Sequence, residues 1–258
     1  MDLLIALILW LAFTGMITGI SSLTSAWALL KGSKPLGAVL AGALASALFL
    51  VVAFLILQSD EKVKGLALLQ SLMDESWKTQ SALYHAKGMT EEDIALLKNF
   101  SDKYVFWAFP AWVLLGSMIM GLVSYYLSSV IFMRVTPKIP RPMRFRDWVM
   151  PEPMVFGLVV GGLLKVAQGM LQLTPDQSTV VEVIANNLLV LFVGIYAMAG
   201  LCIISFFLHK WRLPSIVRFL GYFLLLLSAG FQIPCALGVL DVWFDFRKLK
   251  SPPLEQTS

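Results

Sequence analysis

The apolar residues of this chain fall into long runs, and the charges are confined to the stretches between them. Each run holds roughly 20–30 residues, and about 20 apolar helical residues cross a bilayer core of about 30 Å. Lipid offers no water to satisfy backbone N–H and C=O groups, so each run must satisfy its own, which a helix does. The alternating apolar and polar pattern of a membrane barrel is not present in the sequence. The expected class is therefore all-α, a polytopic transmembrane bundle of about six spanning helices. A charged content of 14% agrees, since soluble domains carry about 25%.

The six runs cover about 3–30, 36–57, 104–133, 154–173, 180–208 and 216–240. One sizeable polar stretch, 58–103, separates the second run from the third. The organisation reads as a first hairpin over 1–57, an extracytoplasmic helical loop over 58–103, spans three to six over 104–246, and a polar disordered tail over 247–258. Within the loop, Val63, Leu66, Leu69, Met73 and Trp77 recur at helical spacing, which predicts an amphipathic helix. Thr90 can cap a second helix, with Glu91, Glu92 and Asp93 in the first turn where the helix dipole favours acids. So short a stretch buries too little for a core of its own and is expected to form a small helical cap.

Charge sets the expected orientation. The net charge of +4 does not indicate nucleic acid, because the basic residues sit in short loops between the runs. Arg134, Lys138, Arg141, Arg144 and Arg146 crowd one proline-rich loop, and the loops at Lys31–Lys34 and His209–Arg218 are basic too. Short basic loops face the cytoplasm. The stretch 58–103 has six lysines against eight acids and should lie outside. Six spans then place both termini outside, which strands Arg247, Lys248 and Lys250 on the wrong side. A last segment bent at Pro234, re-entrant or doubled, would return them. Met1-Asp2-Leu3 lacks a basic n-region, so no cleaved signal peptide is expected. Cys202 and Cys235 each lie in an apolar run and suggest neither a disulfide nor a metal site.

Polar side chains inside spans are costly and so are candidate functional residues. Lys165, Gln168 and Gln172 share a face of segment four, and Glu182, Asn186 and Asn187 open segment five. The hairpin turn between those segments should bring the two sets together in the outer half of the membrane. Asp241 and Asp245 would join them if the tail is outside. One reading is a pocket for a polar solute; the other is that Lys165 only pairs with Glu182 or Asp241 to neutralise a buried charge. Small-residue rows at Gly15/Gly19, Gly37/Ala41/Ala45 and Gly157/Gly161 allow close helix approach, within the chain or to a second membrane protein. Most tryptophans lie near span ends, as in an aromatic belt. The sequence has no zinc-protease, nucleophile-elbow or phosphate-loop motif, and its two histidines, His85 and His209, have no ligand-like neighbours. No enzyme and no cofactor is expected.

Three runs in the second half carry a family resemblance: Phe145-Arg-Asp-Trp148-Val-Met-Pro151, Asn187 leading into Tyr196-Ala-Met-Ala-Gly200-Leu-Cys202, and Leu237-Gly238-Val-Leu-Asp241-Val-Trp-Phe-Asp245-Phe-Arg247-Lys248. Together they resemble the YybS-like family of uncharacterised bacterial polytopic membrane proteins. That family is distantly similar to the substrate-binding membrane subunits of energy-coupling-factor transporters. The resemblance implies a multi-pass protein of the bacterial cytoplasmic (inner) membrane that binds a solute. It also implies an energising partner, since the chain has no ATPase motif of its own. The family motif falls on Asp241, Asp245, Arg247 and Lys248, with no role attached. Longer members carry further spans ahead of this region, so a shortened version is expected. The alternative is a non-transporting scaffold or regulatory subunit of another membrane complex. Expected partners are the lipid bilayer and a second membrane protein, not nucleic acid.

Overall fold

Nine α-helices follow one another through the described residues, and five of them are long and apolar enough to cross a membrane: Leu11–Leu30, Pro35–Ile56, Phe109–Phe132, Glu152–Met170 and Pro175–Lys210. The computed structural model describes the chain except residues 1, 60–64, 135, 137–138, 140, 172, 229 and 250–258. No strand occurs among the described residues. The chain is thus a polytopic helical membrane protein, divided into two compact units, Met1–Pro142 and Met143–Ser258.

In the first unit, α1 (Asp2–Leu30), α2 (Pro35–Ser59) and α5 (Phe109–Phe132) pack on one another. The turn after α1 is closed by Gly32 at φ +82°, with Ser33 N–H donating to Ala28 O and Gly32 N–H to Leu29 O. This left-handed cap needs a residue without Cβ strain. Helices in lipid gain little from apolar association, so close approach and interhelical hydrogen bonds must hold them. Both are present. A Cβ at Gly121 would strike the α2 backbone at Val39 and Ala43. Ser21 Oγ donates to Gly42 O at 2.8 Å, Ser25 Oγ to Ala38 O at 3.0 Å, and Ser128 Oγ to Ser22 O at 2.6 Å. The buried row on α2 is therefore Ala38/Gly42/Ser46, one position along from the Gly37/Ala41/Ala45 row, whose Gly37 is exposed. Gly15 and Gly19 are exposed, with nothing within 4 Å of a Cβ built at either.

The polar stretch holds α3 (Gly65–Ala86) and α4 (Glu91–Ser101). Thr90 caps α4 reciprocally: Asp93 N–H donates to Thr90 Oγ1, and Thr90 N–H donates to Asp93 Oδ2. A π-turn, Asp102–Phe106, then leads toward α5. The third span begins at Phe109 rather than near 104. Pro110, which has no N–H to give, sits in its first turn, where none is required. Val63 of the expected amphipathic row lies outside the described residues.

The second unit is built on α7 (Pro175–Lys210). Thr174 caps it with Gln177 in a reciprocal pair, and Pro175 takes the first helical position. The helix therefore starts ahead of the apolar run that began near 180. Antiparallel to it lies α6 (Val155–Met170), with Gly157 against the Phe192 ring and Gly161 against Leu189.

The expected sixth span is not one helix. It is α8 (Ser215–Ser228) and α9 (Gln232–Phe244), of 14 and 13 residues, separated at Gly230, which has φ +53°. At 1.5 Å per residue each is about 20 Å long, short of a hydrocarbon core of about 30 Å. Pro234 does not make the bend; it occupies the first turn of α9, where its missing N–H is no loss. α9 crosses α7 where Gly238 meets the Tyr196 carbonyl and Gly200 meets Pro234. Past that crossing, Phe246 shares a recess with Phe207 and Trp211. Both helices thus advance toward the same end, and α9 runs parallel to α7. The chain leaves the Lys210 end along α8, turns at Gly230 and returns along α9, a helical hairpin that begins and ends at the same end of α7. Phe246–Leu249 thus lies beside the basic residues of the second unit, not at the Glu182 end of α7 where six spans would put it.

Candidate functional site

The polar residues of the second unit form two groups at opposite ends of α7. The antiparallel register set by the Gly157 and Gly161 contacts carries Lys165 of α6 to Glu182 of α7, with Nζ 3.4 Å from Oε1 and each side chain about a quarter exposed. Gln168, one turn along, donates to Ser178 O at 3.3 Å, to Ser178 Oγ at 3.2 Å and to Glu182 Oε2 at 3.5 Å. Asn186 follows a turn beyond Glu182 and is buried. Asn187 donates to Val183 O of its own helix at 2.9 Å. Gln172 lies outside the described residues. The cluster is electrically balanced: one ammonium faces one carboxylate, and an amide bridges that carboxylate to the backbone.

The second group closes the end of α9. Asp241 Oδ2 accepts Arg247 Nη2 at 2.9 Å, and Asp241 Oδ1 accepts Phe246 N–H at 2.9 Å. Arg247 Nη1 donates to Arg146 O at 2.9 Å and to Trp148 O at 2.8 Å. Asp245 terminates the helix at φ +40°, a conformation that aspartate tolerates, and its Oδ1 accepts Leu249 N–H at 3.1 Å. Lys248, at φ +52°, is exposed. The turn Phe145–Asp147 packs on α7, sharing a recess with Ser205 and His209. Some 20 residues of α7 separate this level from Glu182, on the order of 30 Å. Asp241 and Asp245 therefore do not join Lys165, contrary to expectation.

The family motif falls on Asp241, Asp245, Arg247 and Lys248 with no role attached. The structure adds the partners of Arg247, which are Asp241 and the carbonyls of Arg146 and Trp148. Two of the runs that carried the family resemblance are thereby joined by one guanidinium.

The family described as a predicted membrane protein family, DUF2232, matches residues 2–242. The chain belongs to DUF2232. No curated protein and no solved structure matches it. The DUF2232 match takes in the whole Lys165–Glu182 cluster and Asp241, and ends before Arg247.

Proposed function

We propose that this DUF2232 protein is a non-transporting, non-enzymatic assembly subunit of the bacterial cytoplasmic membrane, which docks a second membrane protein. The observation behind this reading is the division of the polar residues at the two ends of α7. A solute pocket needs polar groups left over for the solute. Here Lys165, Gln168 and Glu182 answer one another, while Asp241 answers Arg247. The small-residue row at Gly15 and Gly19 supplies a docking face, because it remains open while Gly42 on α2 and Gly157 and Gly161 on α6 are met by neighbouring helices. The acidic cap and the basic ends follow the charge rule for a protein with its cap outside.

The second reading is a solute-binding subunit energised by a partner, as the YybS-like resemblance implies. It draws on the Lys165–Glu182 pair and the buried Asn186 beside it. Mild-detergent purification followed by native mass spectrometry separates the two. An assembly subunit brings down a stoichiometric membrane partner that Gly15→Leu/Gly19→Leu releases. A solute binder instead retains a small molecule that Lys165→Ala/Glu182→Ala releases. Retention of such a molecule with no protein partner would overturn the first reading.

A further inference from the structure

We infer that the second unit carries a binding site for the phosphate headgroup of an anionic lipid, in the recess between Arg144, Phe145, Arg146, Ser205 and His209. The recess has a volume of about 490 Å³. Arg144 is exposed and has no carboxylate within 4 Å among the described residues; Arg146 has only Asp147, at 3.8 Å. A guanidinium presents several donors in a fixed fork that matches phosphate oxygens. His209 Nδ1 is held by Ser205 O at 2.7 Å, which fixes the ring and turns Nε2 away from its own helix.

The C-terminal end of a helix ordinarily repels an anion, since its last carbonyls are unpaired. At α7 three of the last four carbonyls are occupied. Phe207 O accepts Trp211 N–H, Leu208 O accepts Leu213 N–H, and His209 O accepts Arg212 N–H. The neighbouring Arg247 adds no free charge, being matched to Asp241.

Two features favour a lipid over a soluble phosphate. An apolar recess of about 230 Å³, lined by Ile203, Phe207, Leu208, Trp211 and Phe246 among others, flanks the same turns of α7 and can take an acyl chain. The exposed Trp211 sits at this end of the unit, where an interfacial belt belongs. A basic recess between the end of a spanning helix and the turn packed on it is suited to an acidic headgroup.

The test uses the purified full chain in detergent, titrated with phosphatidylglycerol, phosphatidylcholine or inorganic phosphate and followed by native mass spectrometry. Phosphatidylglycerol should bind, and Arg144→Gln/Arg146→Gln should weaken it at least tenfold. Arg144→Lys/Arg146→Lys, which keeps the charge but loses the fork, should bind between the parent and the glutamine variant, and the first unit's Lys31→Gln/Lys34→Gln should keep the parent's affinity. Arg146→Gln leaves the carbonyl that Arg247 uses. Should the double variant nevertheless elute as aggregate, Arg144→Gln alone, at an exposed side chain, must still weaken binding several-fold. Equal binding of phosphatidylcholine, or unchanged affinity in the glutamine variants, overturns the site. Inorganic phosphate matching phosphatidylglycerol overturns the lipid assignment.

Discussion

Arg247 Nη2 lies 2.9 Å from Asp241 Oδ2, with 2% and 8% of the two side chains exposed. The pair fastens the last turn of α9 to the backbone of Arg146 and Trp148, about a hundred residues earlier in the chain. A buried ion pair adds little net stability over an apolar replacement, but removing one partner leaves an uncompensated charge and costs about 3–5 kcal/mol. Asp241→Ala should therefore destabilise strongly, and Asp241→Ala/Arg247→Met should recover a good part of the loss. Thermal unfolding in detergent reads both. Equal melting of Asp241→Ala and the parent would show that the carboxylate does not hold the arginine.

The crossing of α7 and α9 depends on the absence of two side chains. Any Cβ at Gly238 would overlap the Tyr196 carbonyl, and one at Gly200 the Pro234 backbone. Backbone cannot swing aside as a side chain does, so Gly238→Ala and Gly200→Ala should each cost at least the about 1–3 kcal/mol of overpacking. Gly15→Ala meets open space and should change stability by less than about 0.5 kcal/mol. Near-equal melting temperatures for Gly15→Ala and Gly238→Ala would contradict the crossing.

Much of this fold can be read from the chain. The apolar runs locate the five spans, and Thr90 with Asp93 announces α4. The start of α7 was equally visible in Thr174-Pro175-Asp176-Gln177, a capping pattern with proline at the first helical position, yet hydropathy alone moved the start to about 180. The break in the last segment was harder to see. A window of apolar residues reads the same whether one helix or two short ones carry it, and Pro234 attracted the bend that Gly230 makes. The clue was electrostatic: Arg247 and Lys248 sat on the wrong side of a six-span topology. Once α9 turns back, both join the basic end. The same six-span reading would group Asp241 and Asp245 with Lys165 if the tail lay outside, a grouping that the return of α9 to the Lys210 end removes.

The return of α9 to the Lys210 end of α7 makes a direct topological prediction. Single cysteines at Arg144 and Lys248 should react with a membrane-impermeant maleimide from the same side of the membrane, and one at Asp176 from the opposite side; all three positions are exposed. Cys202 is buried, and replacing it and Cys235 by serine or alanine removes background. Labelling of Lys248→Cys together with Asp176→Cys, but not with Arg144→Cys, would restore the six-span arrangement and remove the basis for a hairpin at Gly230.

The Lys165–Glu182 pair distinguishes a structural bond from a binding site. Each side chain is about a quarter exposed and each has the other as a charge partner. If the pair only neutralises charge within the bilayer, Lys165→Ala leaves Glu182 beside Gln168 and Ser178 with no cation, and Glu182→Ala leaves an ammonium in the same position. The losses from the two single changes should then sum to more than the loss in the double variant, with a coupling of about 0.5–3 kcal/mol. Lys165→Ala/Glu182→Ala should melt near the parent. A site kept for a solute behaves differently, since its groups are arranged for a ligand rather than for each other. The double variant would then fold and insert normally while losing any stabilisation that added solutes give the parent. Additive single effects with no coupling would count against the ion pair itself, and with it the view that the charged groups of α6 and α7 serve to hold the helices together.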